Sequence, residues 1–276
     1  MLTLFYITNQ PEIAEIADRC GVDRVWIDLE TLGKEIRQKG MNSVKSHHRI
    51  SDIEVVKPVL KQAKLMVRVN PWNVHSPGEI ESVICAGADY IMLPMWKSPR
   101  EVEKFISVVH NRAKTVLLLE TKEAVECVDE ILTLPFDEVH IGLNDLHLSY
   151  GLTFMFEPLA NGMVDMLCEK FCARGIPYGF GGIARIGEGA LPAEWVVKEH
   201  YRLGSTRAIL SRSFCNADEI KDLDEIESIF EENMLRLRAY ELHLQETSNE
   251  SFEKNRKAVQ RCVSEIVRKK KELQKP

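Results

Sequence analysis

The sequence predicts an α/β protein built as a (β/α)8 barrel with additional helices at its C-terminal end. Three observations carry that expectation. Short apolar runs alternate with segments of 3.6-residue periodicity about eight times over residues 1–215, a pattern that calls for a parallel sheet and, at this number of units, for a closed barrel. The residues that follow the apolar runs are polar and largely charged, as at the catalytic rim of such barrels. The alternative, a doubly wound open sheet, would favour a glycine-rich phosphate loop after the first strand, where Ile7-Thr8-Asn9-Gln10 stands instead.

The first predicted strand is Leu2 to Ile7, followed by a helix from Pro11 to Cys20 that Gly21 ends. Arg24 to Leu29 is the second strand. The long stretch from Thr31 to Ser51 is too polar for a core and carries His47 and His48; loops of this length in compact domains are commonly functional. Asp52 to Gln62 reads as a helix with Ser51 as N-cap. Lys64 to Val69 is the third strand, Ser76 to Ala88 a helix, and Tyr90 to Leu93 the fourth strand. Ser98-Pro99 opens the next helix, with proline at its favoured first position, and it runs to about Arg112. Lys114 to Leu119, the helix Thr121 to Leu134, and Val139 to Leu143 form one strand–helix–strand unit. Helices Met163 to Arg174 and Pro192 to Leu203 flank the seventh strand, Tyr178 to Phe180, and Arg207 to Leu210 is the eighth. Residues 216–276 follow as two helices that a barrel does not need, Ile220 to Leu244 and Phe252 to Leu273. The second has a narrow apolar stripe (Val259, Cys262, Val263, Ile266, Val267), which something must cover; we expect a neighbouring subunit to do so.

Composition narrows the function classes. The chain has 276 residues, 45% of them hydrophobic, enough for a sizeable core. A formal charge of -6 gives no basic field for nucleic acid or an anionic membrane. No apolar run approaches the ~18 residues of a membrane span. Seven scattered cysteines suit a reducing compartment, and we expect a cytoplasmic protein. Cys168 and Cys172, one turn apart, lack a second Cys/His pair and read as core residues.

The strand-end residues are Asp28 and Glu30, Arg68 and Asn70, Pro94, Glu120, Asn144 and Asp145, Gly181 and Gly182, and Ser211 and Arg212. If their strands lie side by side, Glu120 and Asp145 emerge on one face. Two carboxylates ~4 Å apart repel by roughly 4 kcal/mol at an effective dielectric of about 20, a cost that a divalent cation removes. Helix capping is the competing reading. Arg68 offers a planar fork matched to a carboxylate. His47, His48 and His147 are the candidates for a proton-transfer group poised near neutral pH, and Asp28 and Glu30 the alternatives. Gly182 and Arg212 lie where barrels often bind phosphate, although the glycines fit a tight turn equally well.

These pieces in this order resemble a known family. Asp23-Arg-Val-Trp-Ile-Asp-Leu-Glu30, Val67-Arg-Val-Asn-Pro71, Gly87-Ala-Asp-Tyr-Ile-Met-Leu-Pro94, Leu118-Leu-Glu-Thr121 and Ile141-Gly-Leu-Asn-Asp-Leu146 are similar to motifs of the hydroxy-ketoacid (2-keto-3-deoxy acid) aldolases and citrate lyase β-subunits. The resemblance implies a TIM barrel of the phosphoenolpyruvate/pyruvate type, a homo-oligomer (dimer to hexamer) and exchanged C-terminal helices. It implies that Glu120 and Asp145 coordinate Mg²⁺, or Mn²⁺ or Co²⁺, and that Arg68, with Asn144, binds a 2-keto acid or hydroxy acid. The implied reaction is aldol cleavage or condensation through a pyruvate-like enolate. Two departures stand out: the aldolases carry His where Thr31 stands and Gln where Leu118 stands. An acyl-CoA lyase of the citrate, malyl or citramalyl type is the alternative within enzymes. A barrel that has lost catalysis and serves as a binding or scaffold subunit is the alternative outside them.

Overall fold

The computed structural model describes residues 1–33, 47–217 and 219–273. Its eight strands are β1 (Thr3–Ile7), β2 (Arg24–Asp28), β3 (Lys64–Arg68), β4 (Tyr90–Leu93), β5 (Lys114–Leu119), β6 (Glu138–Ile141), β7 (Tyr178–Ile183) and β8 (Arg207–Leu210). They follow one another in chain order as a closed barrel, with parallel pairing wherever the register is defined. The chain's contacts gather into two compact units, Leu4–His140 and Ile141–Pro276 with Met1–Thr3.

In the first unit the strands are near-continuous apolar runs because both of their faces are covered. Ile27, Leu65, Val67, Ile91, Met92 and Leu117 have no exposed surface. Removing a side chain of this kind costs about 2–5 kcal/mol. The strands begin at a repeated clip. Asp23, Asp89 and Asp137 each stand just before an even-numbered strand. Their carboxylates accept the backbone N–H of Leu4 (2.7 Å), Leu65 (2.7 Å) and Thr115 (2.8 Å) on the preceding odd-numbered strand. Asp18, near the end of α1 (Pro11–Arg19), accepts the N–H groups of Lys61, Gln62 and Ala63, which lead into β3. The residues that follow Asp23 and Asp137 form a buried ion pair: Arg24 binds Glu138 through two bonds of 2.7 Å while its guanidinium lies over the Phe5 and Tyr90 rings.

Helix α2 (Ile50–Val56) starts two residues earlier than Ser51 as a cap would allow, and Pro58 shortens it into a 3-10 turn, Lys57–Val59. Helices α3 (Ser76–Cys85) and α4 (Pro99–Val109) agree with the sequence reading within a few residues. The segment predicted as one helix from Thr121 is two, α5 (Lys122–Glu126) and α6 (Val128–Ile131), with Thr121 accepting the Ala124 N–H as N-cap.

In the second unit the sixth strand ends at Ile141, and Leu143, predicted as its last residue, opens α7 (Leu143–Ser149). Helices α8 (Glu157–Ala160), α9 (Met163–Ala173) and α10 (Ala193–Arg202) follow. The last two are α11 (Leu223–Gln245) and α12 (Asn249–Leu273). Part of the stripe of α12 packs on its own chain: Val259 and Val263 are buried, Cys262, Ile266 and Val267 are half-buried, and Asn255 donates to Trp195 O (3.1 Å) and Glu199 Oε1 (2.8 Å) of α10. Among the described residues, no helix is long and apolar enough to cross a membrane.

Candidate active site

The β2–β3 register sets Asp28 directly opposite Arg68. Both are the last residues of their strands, so both side chains emerge at the C-terminal rim. Asp28 takes Arg68 Nε and Nη2 in two bonds of 2.8 Å, and Glu30 Oε2 lies 3.3 Å from Nη1. The guanidinium also lies 4.9 Å from the centre of the Trp26 ring. All three charged residues are buried, Asp28 and Glu30 to within 1% of their surface. Burial alone would favour a neutral Arg68. The carboxylates of Asp28 and Glu30, with a contribution from Glu120, outweigh it and hold the guanidinium charged.

Glu120 follows β5 and is 2% exposed. Its Oε1 accepts the Met95 N–H at 3.0 Å. That amide is aimed by an unusual backbone: Met95, after Pro94, has φ 53°, a left-handed conformation that costs a non-glycine residue about 1–3 kcal/mol and gathers at functional sites. A second bond, Thr121 Oγ1 to Trp96 O (2.9 Å), ties the same two segments together.

Asn70, two residues beyond Arg68, fixes the chain after Glu30. Its Oδ1 accepts the N–H groups of Thr31 (2.9 Å) and Leu32 (3.0 Å), and its Nδ2 donates to Glu79 Oε1 (2.7 Å) of α3. Burial pushes the Glu79 carboxyl above its usual range, and the two Asn70 bonds offset only part of that. His48 places Nδ1 3.0 Å from the Asp28 backbone N, whereas His47 is exposed.

The first unit therefore brings together Asp28, Glu30, Arg68, Glu120 and His48. Asn144, Asp145, His147, Gly182 and Arg212 belong to the second. Asp145 is the third residue of α7 and 7% exposed, and Asn144 beside it is half-buried. His147 Nδ1 lies 3.3 Å from Leu143 O, and burial lowers its basicity. Gly182 belongs to a bulge: Gly179 pairs with Arg207 and Gly182 with Ile209, so two residues of β7 face one of β8. Gly181 supplies the bulge with φ 53°. Arg212, beyond β8, is exposed. Among the described residues, no three His, Cys, Asp or Glu side chains form a ready-made metal cage. Trp96 is buried with its indole N–H unpartnered. Asn70, Glu79 and Met95 were missed as a supporting set by sequence reasoning; only the position of Asn70 just past a strand end signalled it.

A family model described as HpcH/HpaI aldolase/citrate lyase matches residues 1–156. The chain belongs to this family. The matched span runs from β1 through α7 and includes Asp28, Glu30, Arg68, Glu120 and Asp145. The crystal structure of an HpcH/HpaI aldolase from Desulfitobacterium hafniense DCB-2 superposes with a TM-score of 0.57 at 15% identity, over 76% of this chain and 86% of that one. At that identity the likeness speaks for the barrel alone. No curated protein is similar enough in sequence to stand as a relative. Membership of the HpcH/HpaI aldolase/citrate lyase family gives the protein a lyase-type function.

Proposed function

We infer that this family member is a metal-dependent carbon–carbon lyase that cleaves or forms a 2-keto (3-deoxy) acid through a pyruvate-like enolate. One observation carries the reading. In the buried group Asp28, Glu30, Glu120 and Arg68, three carboxylates stand against one guanidinium. Carboxylate oxygens are the hard donors that Mg²⁺ takes together with water and substrate oxygens, and Mn²⁺ and Co²⁺ accept similar sets. In this reading Glu120 and Asp145 are the protein ligands, on the strength of their motifs. When bound, the ion acts as a Lewis acid that lowers the energy of an enolate.

Arg68 binds the substrate. Two of its N–H groups donate to Asp28 and Nη1 lies 3.3 Å from Glu30, which fixes the fork, and its other N–H groups can meet a carboxylate or keto oxygen. In the cleavage direction the hydroxyl of one half gives up its proton and becomes a carbonyl as the bond between the two halves breaks, the electron pair of that bond enters the enolate of the pyruvate half, and that half then gains a proton at carbon.

Deuterium exchange into the methyl group of pyruvate in D₂O, followed by NMR with Mg²⁺ or Mn²⁺ and then with chelator, tests this without the aldehyde partner. Metal-dependent exchange that disappears in Glu120→Ala and in Asp145→Ala is the expected result. No exchange with any metal would turn the reading toward a thioester lyase or a barrel without this chemistry.

A further inference from the structure

Beyond the ends of β2 and β3 their ladder continues with one main-chain bond, Leu29 N–H to Arg68 O (2.9 Å). In a parallel pair the next N–H on that side is two residues on, at Thr31, and its regular acceptor would be the main-chain carbonyl of Asn70. The Asn70 side chain takes it instead. Its Oδ1 accepts the N–H groups of Thr31 (2.9 Å) and Leu32 (3.0 Å) and the Thr31 hydroxyl (3.3 Å). The other end of the amide donates to Glu79 Oε1 (2.7 Å), and the Asn70 N–H lies 3.3 Å from both oxygens of that carboxylate. An acceptor facing two amides and a donor facing a carboxylate fix the amide one way round. Glu30 sits between two anchors. Its own N–H goes to Asp28 Oδ1 (3.2 Å), and the residue after it is held by Asn70. Its carboxylate, 1% exposed, lies 3.3 Å from Arg68 Nη1.

Asp28 grips the Nε and Nη2 edge of the guanidinium, and Glu30 stands at Nη1. Asp28 is fixed by its place in β2, whereas Glu30 lies past the strand and depends on what holds the chain there. We propose that Asn70 and Glu79 are positioning residues for the substrate-binding arginine: they hold Glu30 against Arg68, and so set the affinity for the 2-keto acid without giving the substrate a group of their own. The assignment rests on the role given to Arg68 above. A planar fork discriminates by direction, so a tilt of the guanidinium weakens a two-point contact with a carboxylate more than it weakens a point charge. Asparagine is the residue for this place because it accepts and donates at once. Aspartate there would keep the acceptor but set a carboxylate against that of Glu79, and like charges in contact repel.

A reciprocal exchange of the two side chains tests the proposal. Asn70→Asp alone breaks the bond to Glu79; Asn70→Asp with Glu79→Gln restores it with donor and acceptor reversed and the charge conserved. Calorimetry with Mg²⁺ and either pyruvate or oxalate, a planar mimic of its enolate, reads the affinity. Asn70→Ala and Asn70→Asp should each weaken binding by about tenfold, the scale on which partners that orient a binding group act, and the double variant should recover most of it. Unchanged binding in the single variants overturns the proposal. So does a double variant no better than Asn70→Asp, since an asparagine that touched the substrate itself could not be replaced by a carboxylate. Glu79→Ala, at a helix position that accepts alanine, should change binding in the same direction and keeps the test open if Asn70→Ala does not fold. The second readout needs no substrate. The Arg68 Nε–H resonance in ¹⁵N-labelled protein, assigned by its loss in Arg68→Lys, should move in Asn70→Asp and return in the double variant; a resonance that stays in place in Asn70→Asp sinks the idea. If the wild type binds neither pyruvate nor oxalate, the substrate role of Arg68 fails, and that resonance alone decides whether Asn70 and Glu79 position it.

Discussion

Arg68 is the residue on which the electrostatics of the site turn, and its neighbours dictate how substitutions should behave. Arg68→Ala leaves Asp28 and Glu30 buried without their cation, a loss of about 3–5 kcal/mol that thermal unfolding would register. Arg68→Lys keeps the charge but loses the fork, so the fold should survive while pyruvate affinity drops by at least about tenfold; unchanged binding by calorimetry would remove Arg68 from the substrate site. Both Asp28 and Arg68 were legible as strand-end residues. That they pair with each other was not, because the pairing follows from the β2–β3 register, which no local pattern encodes. Glu79 offers a test by pH. Its carboxyl is raised by burial, so the folded state holds that proton more tightly than the unfolded chain does. The stabilising contribution is then fully present at pH values below the unfolded carboxyl's and is lost as pH rises through the raised value. Glu79→Gln keeps an oxygen for Asn70 without the charge. Its unfolding midpoint should exceed that of the wild type near neutral pH, and the difference should shrink toward about pH 4. A difference independent of pH would contradict the assignment.

At the scale of elements, the bulge in β7 links a glycine to the helix that carries Asp145. A Cβ on Gly181 would lie 2.8 Å from Leu143 Cδ1, and its φ of +53° is strained for any side chain. Leu143 is the first residue of α7, whose next two residues are Asn144 and Asp145. Gly181→Ala should therefore cost about 1–3 kcal/mol from backbone strain and overpacking and shift α7, lowering metal-dependent exchange as well as the unfolding temperature. Gly182→Ala, whose Cβ would meet nothing closer than 3.5 Å, is the contrast: it should unfold near the wild-type temperature. Equal behaviour of the two variants would refute this account. The alternation of elements was readable because strands buried on both faces are written as apolar runs. Helix α7 was not, since Leu143 continues the run that begins at Val139 and only Gly142 marks the break. The break at Cys127 is equally silent, because the apolar residues on both sides keep helical spacing. The aspartates at 23, 89 and 137 did offer a signal, an Asp before the second, fourth and sixth strands, but its meaning depends on which strands are neighbours.

For the molecule as a whole, the chain ends matter more than their sequence suggested. The narrow stripe of α12 led to the expectation of cover from a neighbouring subunit; within the chain Val259 and Val263 are buried, while Cys262, Ile266 and Val267 stay half-buried. Helix α11 reaches the other terminus. Glu241, with no exposed surface, accepts the Leu2 N–H at 2.6 Å and the Tyr201 hydroxyl at 3.1 Å. Arg238 closes the set by donating to Leu2 O (2.8 Å) and to Glu241 Oε2 (2.7 Å). The residue before β1 is thus held by a helix some 240 positions later, and Thr3 N–H continues the tie to Thr206 O of the segment that enters β8. A separation of that length is invisible to periodicity, and nothing local sets Glu241 apart from the other charges of its helix. Glu241→Ala would leave the Leu2 amide and the Tyr201 hydroxyl without this acceptor and take one acceptor from Arg238, at about 1–3 kcal/mol for each group that stays dry. In a chain of this size each kcal/mol lowers the unfolding temperature by about 2–4 °C. Glu241→Gln retains one oxygen for Leu2 and Tyr201 and should recover most of the loss. Hydrogen exchange would locate the effect: in Glu241→Ala, amide protection should fall in β1 and α11 together, while the strand-end group around Arg68 keeps its protection. Loss confined to α11, with β1 unchanged, would show that the helix does not hold the first strand.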